Sequence, residues 1–292
     1  MKAKYIALLA CSALLGFTAC DEDDIDGKSI FSNTNRVENS FDKWLKTNYV
    51  DTYNIQFQYR YTDKETSNSY NLVPATLDQS IALAKLTKFL WLDVYKEIAG
   101  ETFIKTYCPK VITVVGSPAY NSKGEIVLGT AEGGVKITLY NVNSLDYENI
   151  DVDFLNYWFF KTMHHEFAHI LHQTKSYTTD FNLITPDSYQ STSWVNVTDK
   201  EALQMGYITP YASNEFQEDF VETLSNYVTH DQAWWDERME IAGIDAAALI
   251  QKKLDIVRDY LKGQWSINLD ELRAKVLEKY EEVYDLDLTT LD

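Results

Sequence analysis

The chain shows two kinds of hydrophobic pattern, each typical of one kind of secondary structure. Apolar residues that recur every three or four positions predict helices, and alternating or β-branched runs predict strands. Helices are expected at residues 37–49, 74–98, 153–174, 214–228 and 231–284, with a break at 263–267. Strands are expected at residues 55–61, 111–115, 126–128 and 135–140, the last two joined by a turn at Gly133 and Gly134. A few strands followed by helices predict the α+β fold class, with a small mixed sheet.

The organisation of the chain favours a single folded domain. Its 292 residues, 45% of them hydrophobic, are enough for a large core. We find no internal repeat and no interdomain linker, so residues 37–292 are expected to form one domain with a helical C-terminal part from about residue 200. A Ser- and Thr-rich stretch at residues 176–199 predicts a long loop, and loops of that length often carry function.

The N-terminus predicts export and a lipid anchor. Lys2 and Lys4 precede an apolar run at residues 5–17, and small residues then lead into Cys20. This order resembles a bacterial lipobox, so we expect a signal peptide at residues 1–19 and lipidation of Cys20. A plain signal peptide with an incidental cysteine is the alternative. The apolar run is too short to span a membrane comfortably, and no later stretch approaches its length without charges.

An acidic segment follows this cysteine. Residues 21–24 read Asp-Glu-Asp-Asp, and residues 20–36 are polar enough to form a flexible tether. Acidic residues at this place resemble the surface-export signal of lipoproteins in some Gram-negative bacteria. We therefore expect a protein of the cell envelope, anchored to the outer membrane and exposed on the cell surface. A solvated tether without an export role is the alternative.

Charge and cysteine content narrow the possible partners. The formal net charge is −18, and a surface this acidic repels phosphate backbones, so nucleic acid is not an expected partner. Of the three cysteines, Cys11 lies in the signal peptide and Cys20 is the lipidation candidate. Cys108 is therefore left without a partner for an intramolecular disulfide.

The candidate chemistry is concentrated in the helix predicted at residues 153–174. Four of the five histidines fall between residues 164 and 172, in the sequence HHEFAHILHQ. His165 and His169 lie about 40° apart around a helix and one turn from each other, so both imidazoles can hold one zinc ion. Glu166 lies about 100° from His165, where it can take a proton from a metal-bound water without acting as a ligand.

The two other histidines of this segment are expected outside the ligand set. His164 lies about 100° from His165 around the helix, which favours a structural role. His172 lies on the metal-facing side but two turns from His165, and a straight helix does not bring three such rings onto one ion. We interpret His172 as a residue that supports a ligand or anchors the following loop.

A catalytic zinc site also needs a third protein ligand and an open position for water. One large class has a further histidine ten residues after the first, but that position here is Lys175. The other common solution is a glutamate on a later helix. The segment from Asn214 reads NEFQEDFVETLSNYV, and Glu215, Glu218 and Glu222 share one face of it. Angle alone does not choose between Glu218 and Glu222, and a solvated acidic face is the alternative.

The two segments HEFAH and EDFVE together resemble the gluzincin metallopeptidases, especially those of the lethal-factor kind. The resemblance implies a zincin-like metallopeptidase domain in which Glu218 is the third ligand and Glu222 orients a ligating histidine. It also implies that Tyr211, seven residues before Glu218, helps to stabilise the oxyanion. In zincin-like folds an edge strand borders the active-site cleft, and residues 135–140 are the candidate for that strand.

The chain as a whole is similar to a narrower family, the zinc metallohydrolase lipoproteins associated with TonB-dependent nutrient importers. The matching features are the signal that ends at Cys20, the acidic tether, the doubled histidine at 164–165 and the EDFVE helix. This similarity implies a surface-exposed hydrolase that works beside an outer-membrane nutrient importer. It does not specify a substrate.

Taken together, the residues and the resemblance predict a zinc-dependent peptidase that acts on a peptide or protein. His165, His169 and Glu218 would hold Zn²⁺, and Glu166 would act as the general base on a zinc-activated water. Two alternatives stay open. One is a nutrient-binding lipoprotein whose zinc site is vestigial or structural, and the other is a hydrolase of a different bond, such as a deacetylase or an amidase.

Overall fold

Three parallel strands and one antiparallel strand form the main sheet in the computed structural model. Strands β1 (Gln56–Gln58) and β6 (Lys136–Leu139) both run parallel to β2 (Val111–Val114), and β5 (Gly129–Glu132) runs antiparallel to β6. The strand order is therefore β1-β2-β6-β5. A separate two-stranded sheet pairs β3 (Ala119–Tyr120) with β4 (Ile126–Val127). The predicted α+β fold class is confirmed.

The structure describes residues 37–62, 70–121, 126–127, 129–132 and 135–291. The predicted signal peptide, Cys20, the acidic tether and the turn at Gly133 and Gly134 lie outside these residues. From Asn39 onward the described residues form one compact unit. None of its helices combines the length and the apolar character that crossing a bilayer requires.

The position of β6 corrects one prediction. Residues 135–140 are predicted to be the edge strand, but β6 lies between β2 and β5 and all four of its residues are buried. A strand covered on both sides is apolar along much of its length, which explains the run that made it conspicuous. Among the described residues the sheet ends instead at β5, which lies beside the helix that carries the histidines. Because β5 reads Gly-Thr-Ala-Glu, hydrophobic alternation does not reveal it.

Most helices fall within the predicted segments, with different ends, and two short ones, Glu101–Tyr107 and Asp199–Gln204, were not predicted. Two are given names: the motif helix, α6 (Lys161–Thr174), and the glutamate helix, α8 (Phe216–Thr229). The others are α1 (Ser40–Leu45), α2 (Leu77–Thr87), α3 (Asp93–Ala99), α4 (Glu101–Tyr107), α5 (Val152–Leu155), α7 (Asp199–Gln204), α9 (Gln232–Ala242), α10 (Ile244–Trp265) and α11 (Leu269–Glu282). Single π-helical turns at Lys46–Asp51, Lys88–Leu92 and Asn156–Phe160 continue α1, join α2 to α3 and join α5 to the motif helix.

Three local differences from the predicted elements have simple causes. The C-terminal break lies at residues 266–268 rather than 263–267, because α10 continues to Trp265 and ends where Ser266 adopts a left-handed conformation with φ 59°. The loop predicted at 176–199 contains two 3₁₀ turns, Thr179–Leu183 and Ser191–Asn196. Short elements such as α4, α7 and β3 contain too few residues to show a period.

The motif helix packs against the core on one side and against the glutamate helix on the other, and this arrangement sets the direction of its histidines. Its apolar side is buried, and the ring of Phe167 makes edge-on contacts with Trp91 and Tyr95, with centroids 5.4 and 4.9 Å apart. Its other side packs on the glutamate helix. Four histidine and glutamate side chains that the sequence singled out therefore face one another across this second contact.

Candidate metal centre

Three side chains from the two helices converge on one point. The Nε2 atoms of His165 and His169 lie 3.2 Å and 3.4 Å from the same oxygen, Oε2 of Glu218. One donor atom from each of the three residues lies within 4.8 Å of the others. His165 is buried, while His169 and Glu218 are partly exposed. The cluster therefore has an inner wall and an open side, as a catalytic metal site requires.

The other nitrogen of each imidazole already has a partner. Nδ1 of His165 lies 2.8 Å from Oε1 of Glu222, and Nδ1 of His169 lies 3.0 Å from Nε2 of His172. Because a carboxylate only accepts hydrogen bonds, Nδ1 of His165 carries a proton and donates it to Glu222. In a neutral imidazole, Nε2 then presents a lone pair toward the Glu218 carboxylate. Two facing acceptors require a positive charge between them or on the ring.

The separations of the donor atoms fit a small metal ion. Zinc binds imidazole nitrogen and carboxylate oxygen at about 2.0–2.2 Å, so neighbouring ligands of a tetrahedral site lie about 3.4 Å apart. The two separations to Glu218, 3.2 and 3.4 Å, match that edge. Two imidazoles and one carboxylate are also a ligand set typical of catalytic zinc. The residues at this point therefore fit the ion that the sequence predicts.

The charges of the site agree with this arrangement. Burial lowers the pKa of His165, but the carboxylates of Glu218 and Glu222 outweigh burial and raise it to about 9. Burial raises the pKa of Glu218, but hydrogen bonds from His165 and His169 outweigh burial and lower it to about 2. The carboxylates thus favour a positive charge at His165. A bound cation would replace the proton that otherwise provides it.

Glu222 is held by four donors. Its Oε1 accepts from His165 and from Nζ of Lys161 at 2.7 Å, and its Oε2 accepts from the hydroxyl of Thr209 at 2.7 Å and the amide of Asn226 at 3.2 Å. The side chain is almost fully buried, at 1% exposed. Burial alone would raise the pKa of Glu222, but Lys161 and His165 lower it well below its usual range. Glu222 is therefore an ionised acceptor that fixes the orientation of the His165 ring.

His172 takes the corresponding position beside His169. Burial and the neighbouring His169 lower the pKa of His172 to about 4, so its ring is neutral. With Nδ1 of His169 donating to Nε2 of His172, Nε2 of His169 is left free to bind a metal. The ring of His172 is held in turn by edge-on contacts with Tyr177 and Phe220, whose own rings stack 4.0 Å apart. The structure places His172 behind a candidate ligand, and outside the convergent cluster.

Comparison with known proteins agrees with this geometry. Residues 34–270 match the family described as "Putative zinc-binding metallo-peptidase". The chain belongs to this family. A crystal structure of a protein with the same description from Bacteroides caccae is similar to it, with 41% sequence identity and a TM-score of 0.77 over 90% of this chain and 100% of that one. Among curated proteins, none matches.

In this member of the zinc-binding metallo-peptidase family, the position of Glu166 indicates whether its carboxylate is suited to proton transfer. Its carboxylate follows His165 in the motif helix and interacts electrostatically with His165, His169, Glu218 and Lys161. Burial raises the pKa of Glu166, and the two histidines only partly offset this effect. A partly buried carboxylate with a raised pKa beside this cluster of histidines and glutamate is a stronger base than a fully exposed one, which suits proton transfer.

Tyr211 lies beside the cluster, on a segment that precedes the glutamate helix. It begins the short 3₁₀ turn Tyr211–Ser213, and its ring stacks on His165 with centroids 5.8 Å apart. Burial and the carboxylates of Glu218 and Glu222 raise the pKa of Tyr211, and a hydrogen bond to Glu218 contributes. The hydroxyl therefore keeps its proton and can act as a donor beside the metal cluster.

His164 lies outside the cluster, and three residues near the cluster were not identified from the sequence. His164 is fully buried and bonds through Nδ1 to the hydroxyl of Tyr95 at 2.9 Å, away from the cluster. Lys161 stands one turn before His165, so helical spacing could have identified it. Trp194, whose ring contacts Tyr211 edge-on at 4.8 Å, lies on the long loop. Only the folded structure brings Trp194 and Thr209 to the site, because no period relates them to the motif.

Proposed function

We propose that this protein is a zinc-dependent peptidase that cleaves peptide bonds at the cell envelope. The convergence of His165 and His169 on Glu218, with Glu166 beside it, carries the proposal. The third candidate ligand is a glutamate on a second helix, which supports the gluzincin subtype rather than the class with three histidines. Zinc, when bound, would supply Lewis-acid activation of a water molecule and of the scissile carbonyl.

The other steps of the proposed reaction are assigned to side chains of the protein. Glu166 accepts a proton from the attacking water and passes it to the leaving amine, because its partly buried carboxylate has a raised pKa and is a stronger base than a fully exposed one. Tyr211 donates a hydrogen bond to the oxygen on which negative charge develops. Glu222 and His172 hold the two imidazole rings in the orientation and tautomer that binding needs. Trp194 and Tyr211 form an aromatic wall beside the cluster, where a substrate side chain would pack.

The site of action is the second part of the proposal. The lipobox-like sequence at Cys20 and the acidic residues after it support a lipid anchor in the outer membrane, with the peptidase on the cell surface. There the protein would process peptides or proteins in connection with an outer-membrane nutrient importer. The lipid anchor can be tested separately from the catalytic activity. Cells grown with a labelled lipid precursor should incorporate the label into the protein, and the Cys20→Ala variant should not incorporate it.

Metal content and turnover test the central proposal. We expect about one zinc per chain by elemental mass spectrometry in the purified protein, and none in the double variant His165→Ala/His169→Ala. A peptide-library screen should then detect cleavage that is lost in Glu166→Gln although zinc is retained. Tyr211→Phe should keep zinc and the stacking on His165 but lower kcat by about 10²–10³.

The same measurements separate the alternatives. A protein without zinc at neutral pH, or full turnover in Glu166→Gln, would sink the proposal. A zinc-loaded protein that binds peptides or glycans without cleaving them would instead be a binding lipoprotein. Cleavage of an acetamide or another amide but of no peptide would identify a different hydrolase.

A further inference from the structure

A buried ion pair lies one residue beyond the carboxylate that completes the cluster. Asp219 follows Glu218 in the glutamate helix, and its Oδ2 lies 2.6 Å from Nζ of Lys253 in α10. The two side chains are 0% and 1% exposed. A fully buried pair carries a large desolvation cost, and removal of one partner leaves an uncompensated buried charge.

Further contacts make this pair a junction of three parts of the molecule. Nζ of Lys253 also donates to the carbonyl oxygen of Gly206 at 2.8 Å and lies 4.0 Å from the centre of the Tyr207 ring. The hydroxyl of Tyr189 donates to the same Oδ2 of Asp219 at 2.9 Å. The junction therefore joins the glutamate helix to α10 and to the segment that runs from residue 189 to 207.

The backbone at Gly206 supports this arrangement. Its φ of 89° lies in the left-handed region that favours glycine, and an added Cβ would lie 3.1 Å from the side chain of Leu249 in α10. The chain thus passes close to α10 at the residue whose carbonyl accepts from Lys253. The geometry of this acceptor is fixed by the fold and does not depend on a mobile side chain.

The part of the glutamate helix that most needs such support is its first turn. Glu218 lies in that turn, and the residue before the helix, Glu215, makes no side-chain capping bond. Helix ends carry backbone groups without intrahelical partners and fray more readily than helix centres. Asp219, adjacent to Glu218, ties this turn to Lys253 and Tyr189, and the hydroxyl of Tyr177 donates to the carbonyl oxygen of Phe216 at 3.3 Å.

The same junction also reaches the aromatic wall of the site. Directly after Tyr189, the backbone N–H groups of Gln190 and Ser191 donate to the carbonyl oxygens of Ser213 and Asn214 at 2.7 and 3.0 Å. These bonds fix the short turn that begins with Tyr211. A displacement of Tyr189 would therefore be transmitted both to the candidate ligand and to the candidate oxyanion donor.

We propose that Lys253 is a positioning residue for the metal site: through Asp219 it holds the uncapped first turn of the glutamate helix so that Glu218 meets His165 and His169. This inference rests on the proposed function, because it assumes that the cluster binds zinc. Lys253 touches none of the three candidate ligands. Its influence on the position of Glu218 passes through the side chain of Asp219 and through the segment from residue 189 to 207.

Variants at this junction test the proposal without a substrate. Lys253→Met leaves a buried carboxylate without its counter-ion. The double variant Lys253→Met/Asp219→Asn removes both charges, while the introduced amide oxygen can still accept from Tyr189. Tyr189→Phe removes a single hydrogen bond and is the mildest change. The control is Lys88→Met/Asp93→Asn, away from the glutamate helix. Asp93 likewise accepts from a lysine at 2.7 Å and a tyrosine at 2.7 Å, although this pair is less buried, at 29% and 23% exposed.

Zinc affinity by chelator competition and the absorption spectrum of the cobalt-substituted protein are the readouts, after each variant is shown to be folded. We expect zinc to bind about 10- to 100-fold more weakly to the double variant, with an altered cobalt spectrum, and a smaller loss in Tyr189→Phe. The control should keep its affinity within about two-fold.

Each result has one meaning. Folded junction variants whose zinc affinity and cobalt spectrum equal those of the parent protein would overturn the positioning role while leaving the zinc site intact. An equal loss of zinc affinity in the control would also overturn the positioning role, because it would show that any loss of protein stability weakens zinc binding. A parent protein that binds no zinc would instead overturn the proposed function.

Discussion

The motif helix and the glutamate helix contribute to the same cluster, but they are stabilised in different ways. The motif helix supplies part of its own support, since His172 lies three residues after His169, but the ring of His165 is held by Glu222 of the glutamate helix. The glutamate helix depends on distant residues, because Thr209, Lys161 and Lys253 hold Glu222 and Asp219 from three other segments. Short-range spacing therefore specifies one half of the site, and the tertiary fold specifies the other.

The largest loss of stability is expected when the contacts between Glu222 and residues of other segments are removed. Glu222→Ala would leave Lys161 without its buried partner and His165 without its acceptor, and breaking such a pair costs about 3–5 kcal/mol. Urea unfolding of the metal-free protein should show this loss, and zinc binding should weaken in parallel. Glu218→Ala is the comparison: it should abolish tight zinc binding with a much smaller loss of stability, since Glu218 is partly exposed. Equal stability losses in the two variants would contradict the difference between them.

A smaller effect is expected for the local support of the motif helix. His172→Leu removes the acceptor of His169 Nδ1, and loss of such an outer partner weakens metal binding about 10- to 100-fold. His172→Gln, which can still accept a hydrogen bond, should recover part of the affinity. If His172→Leu binds zinc as tightly as the parent protein, the ring only anchors the following loop.

The smallest effect is expected at His164, which has no contact with the candidate ligands. Complete burial lowers the pKa of His164 to about 3 from an ordinary value of 6.5, so the unfolded chain binds a proton that the folded protein does not. Stability from this group is present above pH 6.5 and falls with acidification toward pH 3, by about 1.4 kcal/mol per pH unit. Urea unfolding of the metal-free protein at pH 7, 6 and 5 should show this slope, and His164→Gln should reduce it. Identical slopes would show that His164 protonates without a stability cost.

The sequence could predict what depends on helical spacing. The 3.6-residue period of a helix puts His165 and His169 on one face, and the structure brings both to Glu218. The period also places Glu218 and Glu222 on one face, but it cannot tell which of them reaches the histidines. Glu222 does not reach the point where the histidines converge, because its carboxylate is bound by Lys161 and Thr209. These contacts follow from the packing of the folded chain and not from helical spacing.

The features that the sequence could not predict have neither a helical or strand periodicity nor a run of apolar residues. The edge strand β5 was missed because strand pairing can stabilise a segment without hydrophobic residues, and the conspicuous run at 135–140 proved to be interior. The ion pair between Asp219 and Lys253 joins residues 34 positions apart, and neither residue stands out in its own helix. Such contacts follow from the docking of α10 on the glutamate helix, and no local pattern specifies that docking.

The missing cap at the start of the glutamate helix has a consequence for motion. The first turn of a helix can open without the rest of it, at a free-energy cost well below that of global unfolding. Opening of this turn would carry Glu218 away while His165 and His169, in the middle of the motif helix, keep their positions. In the proposed zinc site, the candidate third ligand would then be gained or lost in local openings, and the rate of metal exchange would be set by the fraying of one helical turn.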